Sequence, residues 1–516
     1  MAKIKIIINK ILVFKAKNPK EFWVLAAMLV LAVYLRFWNL SEYMTFLGDE
    51  GRDVIIVRRF LVDGDIFLIG PGTSIGNMYL GPLYYYLMAP FLWLFNYSPV
   101  GPAVMIAGLG VVTVWFVWFI AREWFGAYAA FVSALLYTIA PTIIIYSRSS
   151  WNPNIMPFFA LLCIYAAWRV WQKMELGWLV VLGVSFAFVL QSHYLGLLLA
   201  TSLGFVWLLS LLKFRKSKKL KTFIVYSTIA GIVFLVLMSP LFVFDYRHGW
   251  INFNAMKVFF TERQTTVSAR PWNALPGVWP LMSKIVTRVV AGRDTALGAW
   301  ISLALATGLG WVYLKKRATL SDNTKAAFAI LVVWFGFALV GLGLYKQEIY
   351  DHYYGFIFAA PILILGGLSE VLVKSAKIRG TWIVATVMLF LTFYNLQDNP
   401  LRYSPNRQLE RSENVAQFIV EQSNGNKFNL AVIAERNYED AYQYFLEQWR
   451  TGVVDIDPQN SDKTITSQLF VVCELPAEKC NPTNNPKTEV ANFGWSKIEK
   501  EWQVEGVIVY KLVHTE

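Results

Sequence analysis

The sequence predicts a polytopic α-helical membrane protein that ends in a small α/β domain. Three observations predict it: a deficit of charge, a series of apolar runs of membrane-spanning length, and a change to polar composition after residue 396. The chain of 516 residues is 56% hydrophobic and 16% charged, whereas a soluble protein carries about 25% charged residues. Most side chains must therefore meet lipid or other helices. The 21 Trp, 25 Tyr and 37 Phe suit aromatic belts at two membrane interfaces. A net charge of +13 in a soluble protein would suggest nucleic acid. Here most of the basic residues fall in short loops, where they report orientation, and no nucleic-acid partner is expected.

A transmembrane helix needs about 20 mostly apolar residues. Such runs lie near 21–40, 80–97, 101–120, 127–146, 154–171, 177–192, 193–212, 222–243, 297–314, 326–345, 354–373 and 379–396. The run at 80–97 decides the topology of all that follow. If it does not cross, one side holds the N-terminal lysines (Lys3, Lys5, Lys10, Lys15, Lys17, Lys20), Arg122 and Lys173. The same side then holds the block 213–221, Lys315-Lys316-Arg317, and Lys374, Lys377 and Arg379. If it crosses, the N-terminal lysines face away from all the later clusters, against the positive-inside rule. The run is therefore read as a re-entrant or interfacial segment, leaving roughly eleven spans. The lysine-rich start, followed by an apolar stretch without a small-residue cleavage site, reads as a retained signal anchor with a cytoplasmic N-terminus.

The outer face then carries the loops 41–100, 147–153, 244–296 and 346–353, the hairpin Gln191-Ser192-His193, and the polar tail. This divides the chain into a membrane domain, 1–396, and an extracytoplasmic domain, 397–516. Strand-like runs at 428–434, 467–473 and 505–513 and an amphipathic helical pattern at 438–449 predict an α/β domain. Outside the cytoplasm Cys473 and Cys480 can close a short disulfide loop, with two unpaired thiols as the alternative. Cys163, inside an apolar run, reads as inert packing.

Candidate chemistry gathers on the outward loops. Phe46-Leu47-Gly48-Asp49-Glu50-Gly51-Arg52-Asp53 follows the first span. Asp49 stands where a helix N-cap would start an amphipathic segment, which accounts for one carboxylate but not for three. Adjacent carboxylates raise at least one pKa, and a base at the mouth of a bundle can deprotonate a hydroxyl. Capping and catalysis both remain open on spacing alone. Tyr146 to Asn154 offers Arg148, Trp151 and Asn152 to an anionic or sugar ligand, or makes an interfacial turn. The long loop brings Asp245-Tyr246-Arg247-His248, Glu262-Arg263 and Arg270, and a late segment brings Lys346 and Asp351-His352-Tyr353-Tyr354. Three of the 4 histidines, His193, His248 and His352, fall on the outer side. No pair has ligand spacing along one helix, so no metal cofactor is expected, with a divalent ion as a lesser alternative. No Gly-rich nucleotide loop is present. A donor on the outer face must therefore arrive with the membrane, as a sugar on a polyprenyl phosphate does.

This order of features resembles the GT-C membrane glycosyltransferases, in the protein O-mannosyltransferase and aminoarabinose-transferase-like branch. The features are one span, an outward Gly48-Asp49-Glu50, an amphipathic segment, Gly81-Pro82-Leu83-Tyr84-Tyr85-Tyr86, further spans, a late Asp-His-Tyr-Tyr before Pro361, and an outer domain. The resemblance covers roughly the first 400 residues and rests on order and topology. It implies that Asp49 is the catalytic base, with Glu50 beside it. Family members often carry Lys-Pro-Pro after this segment, the lysine binding the donor phosphate. Here Leu80-Gly81-Pro82 lacks it, so Arg148, Arg247, Lys346, His352 and Tyr353 become the candidates for donor phosphate and sugar. Arg52, Tyr84, Trp151, Asn152 and His193 are candidates for the acceptor or the groove. The implied reaction is an inverting transfer from a polyprenyl-phosphate sugar to a hydroxyl acceptor in contact with membrane lipid, at the outer face of the cell membrane. The rivals are a transporter or flippase, expected to show internal repeats and charges at mid-membrane depth, and a lipid-linked polysaccharide ligase, which the early Asp-Glu disfavours. A bare membrane anchor would not need so many spans.

Overall fold

The computed structural model describes residues 12–76, 78–262 and 265–515; Lys3, Lys5, Lys10 and Arg263 lie outside them. The membrane domain begins with α1 (Pro19–Phe37), followed by α2 (Gly48–Asp63), α3 (Leu83–Leu94) and α4 (Val100–Trp124). Next come α5 (Ala127–Ile139), α6 (Pro141–Tyr146), α7 (Met156–Trp168), α8 (Trp178–Ser192), α9 (Leu198–Arg215) and α10 (Leu220–Arg247). The long loop holds α11 (Ile251–Thr261) and α12 (Leu275–Val289), and the bundle closes with α13 (Thr295–Trp311), α14 (Asp322–Leu344) and α15 (Ala359–Gln397). Among the described residues, 7 helices are long and apolar enough to cross a membrane. The helices α1, α5 with α6, and α8 fill the other expected spans.

Helix α3 has 12 residues, about 18 Å at 1.5 Å per residue, and falls short of a hydrocarbon core of about 30 Å. The apolar run that decides the topology therefore does not reach across. Helix α15 is two spans: its 39 residues break at Lys377, with φ 48° and ψ −125°. A Cβ at Gly380 would lie 2.5 Å from the Leu372 carbonyl oxygen, a distance that only a hairpin allows. Between α5 and α6, Pro141 cannot supply the amide that would cap the preceding turn. The buried guanidinium of Arg36, on α1, fills the gap and donates to the carbonyls of Tyr137 at 3.1 Å and Thr138 at 3.3 Å. Inside a bilayer such carbonyls have no water to turn to.

The basic loops meet at one end of the bundle. Arg122 pairs with Glu21 at 2.6 Å and lies over the Phe14 ring. Arg169 pairs with Glu123 and Glu175, Lys173 reaches Asn323, and Lys374 reaches the Phe125 carbonyl. The opposite end carries the loops after α1, α6, α8 and α14, and the C-terminal domain.

That domain contains α16 (Gln408–Gln422), β1 (Asn429–Ile433), α17 (Asp440–Gln448), β2 (Gln468–Cys473), α18 (Thr488–Phe493), β3 (Ser496–Val504) and β4 (Val507–His514). The strands form one sheet in the order β1-β2-β4-β3, parallel only between β1 and β2. A disulfide joins Cys473, at the end of β2, to Cys480. The apolar face of α17 packs into the same core as α2, α3 and the start of α4, through Phe46, Val54, Tyr85, Tyr442 and Phe445. The domain is therefore seated on the bundle and shares its core.

Candidate active site

The first turn of α2 carries the acidic cluster and separates its members. The helix begins at Gly48. Glu50, in the third helical position, turns back to accept the Leu47 amide at 3.0 Å, the reach-back half of a capping box. Glu50 is buried, and burial pushes its carboxyl up to about 8. It caps the helix and does not face the cavity described below. Asp49, one residue earlier, points out of the helix with its side chain 41% exposed. Its Oδ1 accepts from Arg52 Nη1 at 2.8 Å and from Tyr438 Oη at 2.5 Å.

Behind them Asp53 is fully buried and accepts on Oδ1 from Arg52 Nη2 at 2.7 Å and from Tyr85 Oη at 2.9 Å. Burial pushes the Asp53 carboxyl up to about 6, against the pull of Arg52. The Arg52 guanidinium thus bridges two carboxylates. The glycines on either side of the acidic pair are steric requirements. A Cβ on Gly48 would lie 2.5 Å from the Tyr438 ring, and one on Gly51 would lie 2.4 Å from the Asp440 backbone. The helix can press against the C-terminal domain only because both lack side chains.

Asp49 opens into a cavity of about 200 Å³ lined by Arg52, Trp151, Asn152, His193, His352 and Tyr353, among others. Five segments far apart in sequence, the start of α2 and four others, supply that lining. Asn152 is fixed by donating to the Ser192 carbonyl at 2.6 Å, which ties the loop after α6 to the hairpin after α8. His193 Nδ1 accepts the Leu195 amide at 3.2 Å, so the proton of the neutral ring sits on Nε2. His352 lies 4.4 Å from the Trp151 ring and 5.7 Å from His193, centroid to centroid. Burial, then the neighbouring His352, holds His193 down at about 3, and burial holds His352 down at about 4. Both rings are neutral at pH 7 and can donate a hydrogen bond without adding charge. Asp351, next to them, is taken up by Arg288 at 3.3 Å and by the Tyr354 hydroxyl at 2.5 Å. This pins the segment that presents His352 and Tyr353.

Ser74 and Tyr353 also line a second cavity of about 810 Å³, walled by Ile251, Val258 and Phe259 of α11 and by Tyr345 and Tyr350. The two cavities adjoin at the tip of the hairpin 71–80, which closes on itself through Thr73 N–H to Met78 O at 2.8 Å and Leu80 N–H to Pro71 O at 2.9 Å.

Several residues expected at the site lie elsewhere. The Arg148 guanidinium is buried and donates to the carbonyls of Leu35 at 2.8 Å and Trp38 at 2.6 Å, the unsatisfied end of α1. Burial lowers its pKa to about 10, so it stays charged, but as a clamp rather than a free phosphate ligand. Tyr84 is buried against Ser150, hydroxyl to hydroxyl at 2.5 Å. Arg247 and Lys346 are exposed and line neither cavity, although their neighbours His248, Tyr345 and Gln347 line the larger one. At the missing lysine, Gly81 lets the Gln191 side chain approach, and Gln191 Oε1 accepts the Leu83 amide at 3.2 Å. Among the described residues no three His, Cys, Asp or Glu side chains group closely enough to share a metal ion. Tyr438 was not predicted. It lies 389 residues from Asp49, inside a helical pattern of the tail, and nothing local marks it.

Comparison with known proteins agrees with this architecture. Residues 80–244 match the family model described as dolichyl-phosphate-mannose-protein mannosyltransferase. No curated protein sequence matches the chain. Among solved structures, ArnT from Cupriavidus metallidurans bound to undecaprenyl phosphate superposes with a TM-score of 0.59 at 13% identity, over 95% of this chain and 97% of that one. The archaeal oligosaccharyltransferase AglB from Archaeoglobus fulgidus, in complex with an inhibitory peptide and a dolichol-phosphate, gives a TM-score of 0.52 at 11% identity, over 89% and 70%. The protein has the fold of the polytopic GT-C membrane enzymes. The family match runs across α3 to α10 only, and the likeness to the solved structures is one of fold.

Proposed function

We propose that the chain transfers a sugar from a polyprenyl-phosphate donor to a hydroxyl acceptor, with inversion, and that Asp49 is the base. One observation carries the reading: Asp49 is the sole carboxylate among the described residues that line the 200 Å³ cavity. A single-displacement reaction needs one base there, whereas a double displacement needs a second carboxylate as nucleophile. Asp49 Oδ2 takes the proton of the acceptor hydroxyl, and the acceptor oxygen forms the new bond to the anomeric carbon. The bond from that carbon to the phosphate oxygen breaks, and its electron pair leaves with the lipid phosphate. Arg52 and the N–H groups of His193 and His352 are the donors available to the departing charge or to sugar hydroxyls. The 810 Å³ cavity gives the rest of a large substrate room beside the reacting atoms.

ArnT and AglB were each solved with a polyprenyl phosphate, which supports the donor class. The gathering of basic loops at the end opposite the cavity supports a cytoplasmic N-terminus and an extracytoplasmic site in the cell membrane. The test is release of polyprenyl phosphate from polyprenyl-phosphate mannose by the full chain. Asp49→Asn lowers this release by about 10²–10⁴-fold with donor binding unchanged. Undiminished turnover would remove Asp49 from the mechanism.

A further inference from the structure

The hydroxyl of Tyr438 stands on a loop of the C-terminal domain, yet it is spent on a carboxylate of the membrane domain. Its ring packs where a Gly48 side chain would be, and its Oη donates to Asp49 Oδ1 at 2.5 Å while accepting from Arg52 Nη1 at 3.2 Å. Both donors to Asp49, Tyr438 and Arg52, land on the same oxygen. Neither donor is on Oδ2, and Asp49 lines the cavity.

The loop itself is built to hold this position. Asn437 Oδ1 accepts the Gly48 amide at 2.8 Å and the Tyr438 amide at 2.9 Å, which fixes the start of α2 and the tyrosine with one atom. Asn437 Nδ2 donates to Glu474 Oε1 at 2.7 Å. That oxygen also takes the Tyr442 hydroxyl at 2.6 Å and faces Arg411 at 3.5 Å. Glu474 follows Cys473, which is held by β2 and by the disulfide. An uninterrupted chain of hydrogen bonds thus runs from the rigid sheet of the C-terminal domain to one oxygen of the carboxylate. A tyrosine that served packing alone would not need its hydroxyl placed within 2.5 Å of that atom.

We propose that Tyr438 is a positioning residue for the transfer reaction: it pins Asp49 Oδ1, so that Oδ2 is presented to the acceptor hydroxyl, and the C-terminal domain thereby completes the active site. The proposal rests on Asp49 being the base. It requires the bond to act on the chemical step rather than on donor binding, because Tyr438 does not line the cavity. The charged and titratable groups that face Asp49 are Arg52, Glu50 and Asp53 on α2, Tyr438 from the domain loop, and His352 from the segment before α15.

The experiment follows polyprenyl phosphate release from polyprenyl-phosphate mannose by the full-length chain, comparing wild type, Asp49→Asn, Tyr438→Phe and Tyr438→His. Tyr438→Phe keeps the ring on Gly48 and removes the hydroxyl alone. Its kcat falls about tenfold, the loss of one hydrogen bond to a charged group, while KM stays within about twofold and the melting temperature stays near that of wild type. Tyr438→His, which retains a ring donor, recovers part of the kcat. A Tyr438→Phe enzyme with wild-type kcat overturns the proposal while leaving Asp49 in place. Wild-type turnover by Asp49→Asn, or no release by wild type, overturns the transfer reading, and this proposal with it.

Discussion

At the residue scale, Asp49 and Glu50 are sequence neighbours with opposite surroundings. Glu50 is buried at the start of its own helix and Asp49 faces the cavity. The Glu50 carboxyl, raised by burial to about 8 from an ordinary 4.5, favours the folded state when protonated. That contribution is whole below the unfolded value and is lost as pH rises through about 8. Glu50→Gln removes the penalty, so it raises the melting temperature relative to wild type more at pH 8.5 than at pH 5, measured by thermal melting across that range. The sequence marked the acidic pair but could not divide its labour, because the difference is one helical position. A carboxylate in the third position reaches the N-cap amide, and one in the second points away. Arg148 was misleading for a related reason. A lone cation on the outer side reads as a ligand for an anion, but the end of α1 leaves carbonyls without partners, and their demand shows only once the helices are packed.

At the scale of elements, α2 against α17 is the contact on which the site depends. Arg59 of α2 forms a two-pronged pair with Glu447 of α17, at 2.6 and 3.1 Å, and Gly48 and Gly51 set how close the helices come. Gly51→Val places side-chain atoms in the Asp440 backbone, an overpacking that costs about 1–3 kcal/mol. Limited proteolysis between α15 and α16 should become faster in this variant, and turnover should fall together with the seating of the domain.

Elements with a strong apolar period were legible: α17 and the strands β1, β2 and β4 fall within the runs expected at 438–449, 428–434, 467–473 and, within a residue, 505–513. Strand β3 was missed because it is an edge strand with an exposed face, Ser-Lys-Ile-Glu-Lys-Glu-Trp-Gln-Val, and shows no clean apolar alternation. The break in α15 was legible as two runs, and the shortness of α3 followed from the loop charges rather than from its own composition.

For the whole molecule, the bundle supplies the cavity and the C-terminal domain supplies Tyr438, which holds Asp49, so the surroundings of that carboxylate come from both halves. The sequence predicted a separate outer domain because composition changes sharply at its border. A shared core between α2 and α17 leaves no mark on composition, since each helix carries an ordinary apolar face. The disulfide closes a span of 7 residues and anchors the strand end that bears Glu474. Replacing both Cys473 and Cys480 by Ser should destabilise the domain by roughly 2–3 kcal/mol and lower kcat more than it raises KM. Melting and steady-state kinetics on the same preparation check both.

The 389-residue separation between Tyr438 and Asp49 also bears on biosynthesis. At about 5–20 residues per second, the ribosome delivers the carboxylate to the membrane roughly 20–80 s before the tyrosine that steadies it. During that interval the spans can insert and the cavity can form, but Asp49 still lacks its Tyr438 partner. On the proposed reading, a half-made chain therefore sits in the membrane without competence to consume lipid-linked sugar. Docking of the C-terminal domain on two glycines then becomes a late step in the assembly of the chain.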